Sequence, residues 1–265
     1  MLKYRILTAC VLIPLVLAAI FYLPQTYFTP VCAIVTLLAA WEWAQLIGWT
    51  KTQWRLLYVA YVLVAIILAL FLPPVFIIGV SSIIWFALFI FIAIVRKKAQ
   101  LIKFPRWLIG IGGVLLLVPF FEAILLLHLK PILLFYLLVV VCMADTAAYF
   151  GGRALGKRKL APVISPNKTM EGTFVALLVI ILIAILGQWF LGTPEQSSFG
   201  WIKATIPAFI AAVIGDLLES YLKRQVNIKD SGNLLPGHGG ILDRLDSVIA
   251  AAPVFACGVF SMGLL

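Results

Sequence analysis

Apolar residues run along this chain in nine nearly unbroken stretches, roughly 6–23, 28–48, 56–72, 75–95, 107–127, 132–150, 172–192, 203–221 and 246–264, with the polar residues gathered between them. A stretch of about 20 residues is long enough to cross a hydrocarbon core of about 30 Å as a helix. The stretches are continuous rather than alternating, so they predict spanning helices and exclude a barrel of alternating strands. The expected fold is all-α: a polytopic integral membrane protein with nine transmembrane helices. Short loops and the lack of an internal repeat predict one membrane domain over 1–265, in which 1–128 supplies supporting helices and 132–265 carries the polar loops. The first stretch is too long for the apolar core of a leader, and no convincing small-residue cleavage site follows it. It reads as an uncleaved anchor.

Composition strengthens this picture. Hydrophobic residues make up 64% of the chain and charged residues 11%, with a mean hydropathy of +1.15, whereas soluble domains carry about a quarter charged residues. Cys10, Cys32, Cys142 and Cys257 all fall inside apolar stretches without a CxxC pair, which argues against a disulfide framework or a zinc site.

Charge then orients the helices. With the N-terminus inside and nine alternating crossings, Lys3, Arg5, Lys51, Arg55, the 96–106 cluster, Arg153, Lys157–Lys159, Lys168, Lys223, Arg224, Lys229 and Arg244 share one side. That side holds 18 of the 20 basic residues, and the other holds only Lys130 and Lys203. The asymmetry predicts a cytoplasmic N-terminus and a periplasmic C-terminus. The net charge of +10 fits such topogenic signals and attraction to anionic headgroups. Without a soluble basic module, nucleic acid is excluded as a partner.

Only ten residues are acidic, and a charge within a span marks a functional site by default. Glu42, Asp145 and Asp216 fall in the cytoplasmic part of inward-running spans. Asp243 and Asp246 lie just before or at the start of the last span, three apart and so on one helical face. Asp216, Glu219, Ser220 and Lys223 form a second polar face at 3/4 spacing. Between the two faces, Pro236, Gly237, Gly239 and Gly240 suit a turn that exposes backbone N–H groups as an anion-binding nest. Carboxylates on two helix ends, with cations and a Gly-rich turn between them, suit Mg²⁺ bridging phosphate oxygens.

Plainer readings stand beside this one. Asp243 and Asp246 also suit an ordinary helix start, where acids favour the dipole. His238 fits either phosphate contact or general acid–base work, or simple solvation. Glu42, between Trp41 and Trp43, reads mainly as an interfacial residue snorkelling beside an aromatic belt. Glu122 is placed toward the outer end of its span, pairing internally or lining a polar pocket.

A second polar island runs from Ala144 to Gly172. It begins with Asp145 and carries Arg153, Lys157, Arg158, Lys159 and Lys168, with Gly151, Gly152 and Gly156 expected to loosen the backbone. Ser165, Pro166, Asn167, Lys168 and Thr169 predict a turn into a helix capped by Thr169. The island suits a nucleoside triphosphate or a lipid phosphate, although a loop enriched in cations for orientation alone has the same charge.

These residues carry a resemblance. Ser220-Tyr-Leu-Lys223-Arg224, then Lys229-Asp230-Ser-Gly232, then Leu235-Pro236-Gly-His238-Gly239-Gly240-Ile-Leu-Asp243-Arg244-Leu-Asp246 resembles the full signature of phosphatidate cytidylyltransferases, also called CDP-diacylglycerol synthases. The opening Met1-Leu-Lys-Tyr-Arg5, Ala39-Ala-Trp-Glu-Trp43, the 145–172 island and the span count resemble the bacterial members. The resemblance implies transfer of the cytidylyl group of CTP to phosphatidic acid, giving CDP-diacylglycerol and pyrophosphate for phospholipid biosynthesis. It assigns metal-ligand roles to Asp216, Asp243 and Asp246 around Mg²⁺, in a two-cation site whose second ion is unknown. Lys223, Arg224, Lys229 and Arg244 would hold phosphates, and Asp230 would fix Lys229 or stand behind the metal. Ser220, Gly239, Gly240, Asp145, Ser165, Asn167 and Lys168 would contact substrate, and Lys223 and His238 would act in catalysis.

The implied partners are CTP, phosphatidic acid and membrane lipid, with a homodimer left open. The implied place is the bacterial cytoplasmic (inner) membrane, with the site facing the cytoplasm. CDP-alcohol phosphotransferases need a DGxxAR…GxxxDxxxD pattern that is absent, and a secondary transporter would show repeated halves.

Overall fold

The computed structural model describes residues 2–96, 101–192, 199–234 and 239–265. Among them are nine helices: α1 (Leu2–Tyr22), α2 (Gln25–Leu46), α3 (Thr52–Ala69), α4 (Pro74–Val95), α5 (Arg106–His128), α6 (Pro131–Leu155), α7 (Met170–Leu191), α8 (Gly200–Gln225) and α9 (Leu242–Ser261). Each corresponds to one predicted span. The eight from α2 to α9 are long and apolar enough to cross a membrane, and the apolar helix Cys10–Tyr22 within α1 is shorter. Two prolines, Pro74 and Pro131, open α4 and α6, where a helix tolerates a missing N–H.

In lipid, helices gain little by hiding apolar surface from one another, and small residues that allow close approach decide the packing. The central pair, α8 and α9, shows this at both ends. A Cβ on Gly215 would strike the Asp246 carbonyl and Ala250, and one on Gly258 would strike Ala204. The Gly215 contact sets the backbone of Asp216 beside that of Asp246. Helices α2, α4, α5, α6 and α7 pack around this pair, while Ile83, Phe86, Leu182 and Phe190 remain exposed on the outer surface, where a bilayer would cover them.

Two local expectations are corrected. The glycines that open the second island do not loosen it, because α6 continues through Gly151 and Gly152 to Leu155. Their bare backbones instead admit α7: a Cβ on Gly151 would meet Val175, and one on Gly152 would meet Thr169. The segment Ser165–Thr169 is not a turn but strand β2, paired antiparallel with β1 (Lys159–Ala161). The otherwise all-α protein thus carries one short hairpin. It is held by the Glu171 carboxylate, which accepts from the backbone N–H groups of Lys157 and Arg158 and from Arg158 Nε, each at 3.1 Å. The predicted cap is present: Thr169 Oγ1 accepts from Gly172 N at 3.1 Å and starts α7.

Candidate active site

The charged end of α8 repeats at helical spacing and lays Asp216, Glu219, Ser220 and Lys223 along one face. Ser220 Oγ donates to Asp216 Oδ1 at 3.4 Å. Lys223 Nζ donates to Glu219 Oε2 at 2.9 Å, one turn back, and to Asp243 Oδ1 of α9 at 2.6 Å. The other Asp243 oxygen accepts from the backbone N–H groups of Ser231 and Gly240, both at 2.9 Å. Of the Gly-rich turn expected to expose its N–H groups, Gly240 instead donates to this internal carboxylate, as does Ser231 before it. Gly239 has φ +84°, a conformation that favours glycine and that lets the chain fold back over Asp243.

Asp246 turns the other way. It lies beside Asp216 and Glu219, and its Oδ1 accepts from Ser247 N at 2.6 Å. Helical spacing puts Asp243 and Asp246 on one face, but the returning loop and Lys223 hold the first, while the second lies directly beside the acids of α8. Among the described residues no group of three His, Cys, Asp or Glu side chains reaches metal-holding spacing.

From the opposite side the hairpin brings Lys168, whose Nζ pairs with Asp216 Oδ2. Asp145, Ser165, Asn167, Lys168, Thr173 and Asp216 line a cavity of about 290 Å³ there. Asp145 is exposed and feels the charges of Lys168, Asp216 and Arg244. Among the described residues, Asp216, Glu219, Asp243 and Asp246 thus lie together with two bonded ammonium groups, Lys168 and Lys223. Charges withdrawn from water need pairing or a metal, and hard carboxylate oxygens suit Mg²⁺. Asp216 and Asp246, side by side, present oxygens of the kind a divalent cation takes. Asp216 also bonds Lys168 and Ser220, and Asp243 bonds Lys223 and the loop.

The residue that sequence reasoning misjudged is Glu42. It does not snorkel at an interface: it is fully buried in α2. Its Oε2 accepts from Ser231 Oγ at 3.1 Å and from the first N–H of α9, that of Leu242, at 2.8 Å. Cβ atoms on Gly232 or Gly240 would collide with its carboxylate. Glu42 therefore ties the signature loop and the start of α9 to α2, as an N-terminal cap supplied by another helix. Its sequence signal was the cost of an acid inside a span, which the flanking tryptophans masked. Beside Glu42, Arg55 donates to the Trp41 carbonyl at 3.1 and 2.9 Å and stacks 4.1 Å over the Trp41 ring.

The remaining expected residues are scattered around this centre. Arg224, Lys229, Asp230 and Arg244 are exposed. Among the described residues no ion pair joins Asp230 to Lys229; Asp230 instead lines a polar cleft with Glu42, Arg55 and Asn233. His238 lies outside the described residues, as do Pro236 and Gly237. Glu122 is buried in α5 near Cys32, and its Oε1 has no hydrogen-bond partner among the described residues.

A sequence model described as the cytidylyltransferase family matches residues 3–262. The phosphatidate cytidylyltransferase of Pseudomonas aeruginosa is 38% identical over 267 residues, covering 99% of this chain and 98% of its own. That of Haemophilus influenzae is 33% identical over 281 residues, covering 97% and 98%. The Bacillus subtilis phosphatidate cytidylyltransferase is 44% identical over 130 residues, 48% of each chain.

Proposed function

Since the chain belongs to the cytidylyltransferase family, we infer that it transfers the cytidylyl group of CTP to phosphatidic acid, yielding CDP-diacylglycerol and pyrophosphate for phospholipid synthesis. A phosphate oxygen of the lipid attacks the α-phosphorus of CTP, and the bond from that phosphorus to the bridging oxygen breaks. The nucleophile is already an anion, so no strong base is needed. Catalysis then consists of positioning and charge stabilisation.

The observation that carries this reading is the meeting of α8, α9 and the hairpin, where Asp145, Asp216 and Lys168 line a cavity among apolar helices and Lys223 pairs with Asp243 beside it. Asp216 and Asp246 would hold Mg²⁺, which when bound would offset the negative charge of the reacting phosphates. Lys168 would lie against the incoming phosphates from the hairpin side. Lys223, fixed by Glu219 and Asp243, would present its charge from the α8 side. Asp243 aligns Lys223 and the loop rather than sitting idle when substrate is absent. Arg224, Lys229 and Arg244, toward the exposed edge, suit the outer phosphates of CTP. His238 is proposed as a phosphate contact on the same loop.

The test is turnover by detergent-solubilised protein given labelled CTP and phosphatidic acid with Mg²⁺. CDP-diacylglycerol and pyrophosphate should form in equal amounts. Binding or exchange of substrates without pyrophosphate release would point to a transporter and overturn the reading.

We also propose that this end of the bundle faces the cytoplasm of a bacterial inner membrane, on the strength of the 18-to-2 division of basic residues. Single cysteines introduced as Lys157→Cys and Leu265→Cys should then react with impermeant reagent from opposite faces of oriented vesicles. Labelling of both from one face would exclude the arrangement.

A further inference from the structure

Two apolar grooves flank α4, and they differ in what they open onto. One, about 390 Å³, lies between α4 and α5 and is lined by Ile84, Leu88, Leu108 and Leu115, with Leu218 and Leu222 of α8 at its base. It shares no lining residue with the acidic cavity. The other, about 260 Å³, is lined by Phe89, Ile92 and Ala93 of α4 and by Phe209, Ile210 and Val213 of α8. Thr173 of α7 closes its far side. Phe209, Val213 and Thr173 line this groove on one side and the cavity of Asp216 and Lys168 on the other.

A substrate with a phosphate headgroup and hydrocarbon tails needs such a joint, a polar chamber sharing its wall with an apolar slot. Ala93 and Ile210 are exposed on the groove's open side, where a chain can enter sideways from the bilayer. At the charged end Arg96 donates to the Leu160 carbonyl at 3.4 Å and contacts Met170 Sδ at 3.2 Å. Among the described residues it pairs with no carboxylate, so a cation stands where the slot gives way to the polar surface.

We propose that the groove between α4 and α8 takes an acyl chain of the phosphatidic acid whose phosphate reacts at Asp216 and Lys168. This rests on the reading of the chain as a cytidylyltransferase acting on that lipid. The larger groove between α4 and α5 takes no part in turnover.

The measurement is kcat/KM for long-chain (dioleoyl) and short-chain (dihexanoyl) phosphatidic acid in mixed micelles at saturating CTP. Ala93→Trp, which fills the slot from its open side, should lower the long-to-short ratio at least about tenfold, since apolar pockets discriminate on that scale for a few methylenes. Leu115→Trp, in the other groove, should leave the ratio unchanged. If Ala93→Trp does not fold, Ile210→Trp on the facing wall must give the same split. Equal losses for both lipids, no change in either, or a ratio moved only by Leu115→Trp would each overturn the assignment. Wild-type protein inert toward both lipids would instead refute the enzymatic reading, and the groove's role with it.

Discussion

Asp216→Ala is expected to lower turnover at least about 100-fold, a loss of about 2.7 kcal/mol of transition-state stabilisation. The Asp216 carboxylate is the point where α8, the hairpin and α9 converge: Lys168 pairs with it, Ser220 donates to it, and Asp246 lies beside it. Removing it takes away one of the two acids best placed for a divalent cation and leaves Lys168 without its partner. Asp246→Asn should fall as far while preserving the fold, because an amide keeps the size of the side chain but not its charge. Asp243→Asn should also abolish most activity by a different route: its carbonyl oxygen can still accept from Ser231 and Gly240, but its NH2 then faces Lys223 and releases that ammonium. Glu122→Gln, buried in another part of the bundle, should be nearly silent. Specific activity per folded protein, with folding checked by size-exclusion profile, decides the matter. An Asp216→Ala enzyme within about tenfold of wild type, some 1.4 kcal/mol, would remove the acid from the chemistry. So would a Glu122→Gln enzyme as inactive as Asp216→Ala, because location in the bundle would then be no guide to function.

Glu42 should show an unusual order of severity, with alanine far worse than glutamine. Both of its hydrogen bonds fall on a single oxygen, so the carbonyl oxygen of glutamine can accept both and only the charge at the start of α9 is lost. That loss is worth roughly 1 kcal/mol. Alanine strands the Ser231 hydroxyl and the Leu242 N–H in a buried setting, at about 1–3 kcal/mol for each group. Thermal unfolding in detergent should show the midpoint falling slightly for Glu42→Gln and steeply for Glu42→Ala. Residual activity of folded Glu42→Ala at low temperature should show a raised KM for CTP, because the loop that carries Lys229 and Gly240 has lost its anchor. Equal midpoints for the two variants would mean that the carboxylate does not hold the loop.

The helices were legible because lipid leaves a chain few choices: a continuous apolar run of sufficient length has to satisfy its own backbone and does so as a helix. Asp216, Lys168 and Asp246 were legible for a related reason, since charges among so few polar residues attract notice. What escaped was the sharing of partners. The three-residue spacing of Asp243 and Asp246 puts them on one face, but it does not reveal that the loop will fold back and take Asp243 for itself. Glu42 and its partners are 189 and 200 residues apart, and no local pattern announces a bond at that separation. The hairpin was missed because five residues from Ser165 to Thr169, with a proline and an asparagine, look locally like a turn. Their extended form depends on pairing with Lys159–Ala161 and on Glu171 beyond them.

That long separation also sets a schedule. A ribosome adding about 5–20 residues each second completes α2 some 10–40 s before Ser231 and Leu242 emerge. During that interval the Glu42 carboxylate belongs to an unfinished bundle, without the groups it will finally hold. Helix α9, made after α2 to α8, is the one whose first N–H closes onto it, so the tie between α2 and the signature loop forms late in synthesis. A chain truncated before residue 231 would leave this acid permanently unsatisfied, giving quality-control proteases a ready means of distinguishing the incomplete product.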